Sequence, residues 1–184
     1  LMQKMHQVKI ESNQEAILFY IEEEVNKKIA DCYANVAFSN FLKHDYALFN
    51  GQQIPSFITQ LEKFKQQMFD LYQNQKETFT HGNLTLENIL YNPEQNKMIF
   101  IDPYEENIID SSLCDCSQIL QSCSSKYEIL NDTTPIIKDN SVDVDIFKFE
   151  GLEIFHNMFN KYLCANYGEN QYKLIKLFEI SQYL

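Results

Sequence analysis

The chain has 184 residues, 45% of them hydrophobic, enough to bury one sizeable core and too few for two domains of ordinary size. Its formal net charge of -11 argues against nucleic acid or an anionic membrane as the main partner, since both would be approached against repulsion; a cationic ligand, or an anion carried with Mg²⁺, is easier to accommodate. No leader pattern opens the sequence, no apolar run has spanning length, and the five scattered cysteines suit a reducing compartment, so a cytoplasmic location is expected.

Taken in order, the first residues are too mixed to assign beyond a strand end at Val8 to Ile10. Ser12 followed by Glu15 reads as a capping box, and Ile17, Ile21, Val25 and Ile29 recur at helical spacing, which predicts a helix over 13–32 with Glu22-Glu23-Glu24 facing water. A second helix is expected over 34–49 with Phe38, Phe41, Leu42 and Leu48 inward. His44 and Asp45 within it are adjacent and point in different directions, so they make no acid/base pair. Asn50-Gly51 marks a turn, Pro55 suits the first position of a helix, and Phe57, Leu61, Phe64, Met68 and Leu71 or Tyr72 give that helix a core stripe as far as Tyr72.

From Glu77 the pattern changes. Thr78-Phe79-Thr80 reads as a short strand entering the loop His81-Gly82-Asn83-Leu84-Thr85-Leu86-Glu87-Asn88, which allows a helical turn before a strand starts at Ile89. Residues 92–97 form a hairpin loop, and Met98 to Ile101 returns to Asp102-Pro103. Leu113, Cys116, Leu120 and Cys123 then share one face of a helix over 112–126, and the polar stretch 131–144 reads as a surface loop. Two helices follow, over 147–166 with Leu152, Phe155, Phe159 and Leu163 inward, and over 170–184. The expected class is α+β and mainly helical, a single domain with one small β-hairpin carrying the polar loop.

Phosphoryl transfer needs a group to orient the acceptor hydroxyl and oxygens to hold Mg²⁺ against the nucleotide phosphates. In protein kinases an Asp and, after four intervening residues, an Asn supply part of this, and a strand-end Asp supplies the rest. Here that spacing gives Asn83, then Asn88, then Asp102 at the end of an apolar strand. One amide oxygen and one carboxylate are sufficient protein ligation for Mg²⁺ when phosphates and waters complete the shell.

His81-Gly82, Leu84, Asn88, Ile101-Asp102-Pro103 and Asp115 together resemble the catalytic loop and metal-binding strand of the aminoglycoside phosphotransferase and choline kinase-like family, relatives of protein kinases. The resemblance covers residues 79–126. It implies the C-terminal lobe of a protein kinase-like fold, with Mg²⁺ and ATP as cofactors and a hydroxyl of a sugar, aminoglycoside or amino alcohol as acceptor. Asn88 and Asp102 would bind the metal and the nucleotide phosphates, His81 would orient the loop, and Asp115, with Asp110 as the alternative, would be a buried carboxylate accepting backbone N–H groups of the loop.

Two departures qualify it. The family has aspartate where this chain has Asn83, and an amide neither accepts a proton nor carries charge, a loss expected to cost roughly 10²–10⁴ in rate. A substitution made to trap a complex, a natural inactive relative, and an acceptor nucleophilic enough without a base all remain open. Glu87 is better read as solvent-facing than as a substitute base. Nothing before His81 alternates like the family's N-terminal β-lobe, so that lobe is expected in a longer polypeptide or in trans, or else the chain is a catalytically inactive binding or scaffolding domain. Rival constellations are weaker: Cys114, Cys116 and Cys123 lack a fourth zinc ligand and read as buried thiols, and His6, His44 and His156 have no metalloprotease spacing.

Overall fold

The computed structural model describes residues 5–11, 13–73 and 75–183. It is an α+β fold, roughly half helical, with three small sheets set around a helical core. The expected cap Ser12 lies outside the described residues. Asn13 is the N-cap of α1 (Gln14–Tyr20), its Oδ1 accepting the Glu15 N–H at 3.0 Å. A wide π turn, Ile21–Asn26, joins α1 to α2 (Lys27–Ala34), and Ile17, Ile21, Val25 and Ile29 are all buried on one face, as their spacing requires. Glu23 and Glu24 pair with Lys27 and Lys28 one turn on.

The second expected helix is only partly present. α3 is confined to Val36–Phe41 with Phe38 exposed, and Tyr46–Phe49 is instead strand β2, paired antiparallel with β3 (Gln52–Pro55). The cause is the two-residue Asn50-Gly51 link, with φ of 48° and 77°, whose left-handed backbone matches the twist of a tight hairpin. Pro55 therefore ends a strand and does not begin a helix. A 3₁₀ turn, Phe57–Gln60, leads into α4 (Leu61–Tyr72), which buries Phe64, Met68 and Tyr72.

β4 (Lys76–Thr78) pairs antiparallel with β1 (Lys9–Glu11), two residues earlier than the expected strand. The polar loop and a 3₁₀ turn (Leu86–Asn88) follow, then β5 (Ile89–Asn92) and β6 (Lys97–Phe100), the expected hairpin. α5 (Ser112–Cys123) starts at the N-cap Ser111, and the short α6 (Tyr127–Asn131) comes next. The stretch expected as a surface loop holds a second hairpin, β7 (Ile136–Lys138) and β8 (Ser141–Asp143). β8 lies parallel to β2 and completes a four-stranded sheet in the order β3-β2-β8-β7. That pairing joins segments more than 90 residues apart, so no local signal announces it.

α7 (Glu150–Asn166) and α8 (Glu169–Ser181) close the described chain. α7 buries Phe159 and Leu163, while Phe155 stays at the surface and stacks on Phe159. The core lies where α1, α4 and α5 meet α8: Phe178 is fully buried and takes the edges of Tyr20 and Tyr72, with ring centroids 5.3 and 6.4 Å away. Among the described residues no helix is long and apolar enough to cross a membrane.

Candidate functional site

The polar loop lies against α5, and buried and half-buried side chains of that helix hold its backbone. Asp115, fully buried, accepts the His81 N–H at 3.0 and 3.2 Å through its two oxygens and the Gly82 N–H at 2.9 Å. His6 Nε2 lies 2.9 Å from its Oδ2. A carboxylate this deep persists only when its lone pairs are filled, and these donors fill them. Asp110, the alternative carboxylate, is exposed and accepts the Thr80 hydroxyl at 2.8 Å.

Three and seven residues beyond Asp115, two more side chains of α5 meet the loop. Gln118 accepts the Leu84 N–H and donates to the Gly82 carbonyl, each at 2.6 Å, and Ser122 Oγ accepts the Leu86 N–H at 2.9 Å. Gly82 has φ of 75°, and a Cβ there would come within 2.2 Å of Asn107 Nδ2. Any other residue would be strained by that backbone conformation and would have to displace the Asn107 side chain.

Within this frame Asn83, Asn88 and Asp102 come together. Asn88 Nδ2 donates to the Asn83 carbonyl at 2.8 Å and to Thr85 Oγ1 at 3.3 Å, and the Asn88 carbonyl accepts the Ile101 N–H at 3.0 Å, next to Asp102. Asn83 Nδ2 reaches Asp102 Oδ2 at 3.4 Å. Asp102 is exposed and has φ of 57°, a left-handed conformation that aspartate tolerates better than most residues. Glu87 is exposed.

His81 is buried with its ring edge-on to Phe100, centroids 5.8 Å apart, and neither ring nitrogen has a hydrogen-bond partner among the described residues. Its backbone does the positioning, since its carbonyl also accepts the Tyr104 N–H at 2.9 Å.

The donor set suits a hard cation. The Asn88 amide nitrogen is committed to the loop, which leaves its oxygen, and among the described residues the Asp102 carboxylate is engaged only by the long contact to Asn83. No group of three His, Cys, Asp or Glu side chains capable of holding a metal exists among the described residues, so an ion here would need phosphate oxygens and water to complete its shell. Cys116 and Cys123 are buried free thiols, each pushed up to about 12 chiefly by desolvation, and they lie on the core side of α5.

His6, Gln118, Ser122 and Asn107 are site residues that sequence reasoning missed. A signal for two of them exists: Asp115, Gln118 and Ser122 form a polar stripe at helical spacing beside the apolar stripe of the same helix. No protein-family model matches the chain, and neither the curated proteins nor the solved structures contain a match to it.

Proposed function

We propose that this chain is the larger lobe of an ATP- and Mg²⁺-dependent phosphotransferase of the aminoglycoside phosphotransferase and choline kinase-like kind. The observation that carries the reading is that Asn83 and Asn88, on a loop fastened by a buried carboxylate, meet Asp102 just past the end of β6. When bound, Mg²⁺ would draw off the charge developing on the phosphates. Asn88 Oδ1 and the Asp102 carboxylate are the residues' contribution to holding it, and Asn83 lies where the acceptor hydroxyl would be oriented. Beside Gly82 a cavity of about 250 Å³ is lined by Glu24, Glu106, Tyr20 and Tyr104, two carboxylates and two aromatic rings that suit a cationic amino alcohol or aminoglycoside. The exposed cross-strand pair Leu90 and Ile99 offers an apolar surface for the nucleotide base and a covering β-lobe, in cis or in trans.

A second reading, a catalytically inactive binding domain, is favoured by the Asn83 amide, which accepts no proton and reaches the Asp102 carboxylate directly at 3.4 Å. ATP turnover with Mg²⁺, measured on the complete reading frame and on its Asn83→Asp variant, separates the two. A gain of roughly 10²–10⁴ in the variant is expected for the transferase. Turnover in neither form overturns it.

A further inference from the structure

On the far side of Asp115 from the loop lies a second cavity of about 470 Å³, between the β1/β4 ribbon, the start of α5 and the end of α7. We propose that it binds a small phosphate-type dianion, either free phosphate or a phosphomonoester. In a chain of net charge -11, its described lining contains His6, Lys9 and Lys76 and no carboxylate, although Glu11 stands opposite Lys76 in the adjoining ladder. An oxyanion would be drawn there against the sign of the whole molecule.

Three features make it a site and not merely a basic patch. Lys9 stands directly opposite Thr78 in the antiparallel ladder, so the two side chains share the face that lines the cavity. Thr78 is 2% exposed, and its Oγ1 is buried with no hydrogen-bond partner among the described residues, a hydroxyl whose desolvation an acceptor would compensate. Ser112, the first residue of the twelve-residue α5, also lines the cavity. The Ser111 cap takes the N–H of Leu113 through its hydroxyl and those of Cys114 and Asp115 through its carbonyl, so the Ser112 N–H stands outside the cap at the positive end of the helix. Tyr162 also lines the cavity, and a volume of this size leaves room for a small organic group beyond the phosphate. His6 lies between this cavity and Asp115, which places a bound anion two residues from the loop backbone.

The test is an NMR titration of backbone amides with inorganic phosphate and, separately, with glycerol 3-phosphate, against sodium chloride at matched ionic strength. Saturable shifts at Lys9, Thr78 and Ser112 are expected with at least one of the two, and the tighter one identifies the source. Lys9→Gln, a change at an exposed position, is expected to weaken binding by about tenfold or more, as loss of a charged hydrogen bond does. The isosteric Thr78→Val should weaken it by about threefold or more by removing one donor, without lowering the melting temperature. Shifts that fail to saturate with either ligand by tens of millimolar, affinities beyond about 10 mM, would overturn the proposal. So would binding that both variants leave unchanged. Because the readout is binding and not turnover, this outcome is independent of whether the loop transfers phosphate.

Discussion

Gly82 is the residue on which the loop's course depends. Its left-handed backbone costs an L-residue about 1–2 kcal/mol, and a Cβ would in addition strike the Asn107 amide. Gly82→Ala is therefore expected to destabilise the protein by more than about 1 kcal/mol in urea unfolding. Adding Asn107→Ala should recover the steric part and leave the conformational part, so full recovery in the double variant would refute the backbone argument. The neighbouring Asn83 has an electrostatic role. Asn83→Asp would set two carboxylates face to face across the 3.4 Å now spanned by an amide donor, and like charges at that distance repel. In the partly exposed setting of Asn83 and Asp102 the expected loss is about 0.5–1 kcal/mol without divalent cations, recovered when Mg²⁺ is added. A variant whose melting temperature ignores Mg²⁺ would count against a cation bridging these positions.

Helix α5 shows how an element divides its work between two stripes. Leu113, Cys116, Leu120 and Cys123 face the core, while Asp115, Gln118 and Ser122 hold the loop. Replacing Gln118 by Ala removes the partner of both the Leu84 N–H and the Gly82 carbonyl. A loss of about 1–3 kcal/mol is expected, with faster hydrogen exchange at the Leu84 amide than at amides elsewhere in the core. Elements like this one are legible in a sequence because burial imposes a period: Ile17 to Ile29, Phe64 to Tyr72 and Leu113 to Cys123 each repeat at helical spacing and each is buried. The spacing of Asn83, Asn88 and Asp102 is legible for the same reason, being local. Tyr46–Phe49 is not, because those four residues suit either a helix or a strand and their pairing is decided by Asn50-Gly51 and by β8, which arrives from the far end of the chain. His6 is equally hidden, since 109 residues separate it from the carboxylate it meets.

At the scale of the whole molecule, desolvation of the core sets how the fold responds to alkali. Cys116 and Cys123 are pushed from 9.0 up to about 12, and Tyr20, Tyr72 and Tyr167 are also raised, in every case chiefly because burial disfavours the anion. The unfolded chain would release these protons from about pH 9 for thiols and about pH 10 for phenols, while the folded chain keeps them. Between those limits the folded state binds more protons, so stability present in full below pH 9 falls as pH rises toward 12. Melting temperature followed from pH 7 to pH 11 should hold steady to about 9 and then decline, since each group ionised only in the unfolded state contributes up to about 1.4 kcal/mol per pH unit. Repulsion among surface charges would also grow with pH in so acidic a chain, but it is screened by salt, whereas the desolvation of buried groups is not. The decline is accordingly expected to persist in 1 M salt, where the Debye length is about 3 Å. A chain in which Cys116, Cys123 and Cys114, a third α5 thiol that burial also raises, are all replaced by alanine should be less stable at pH 7 and yet lose less between pH 9 and 10, before the phenols ionise. An unchanged slope in that variant would place the alkaline transition in the tyrosines around Phe178 instead of the thiols of α5.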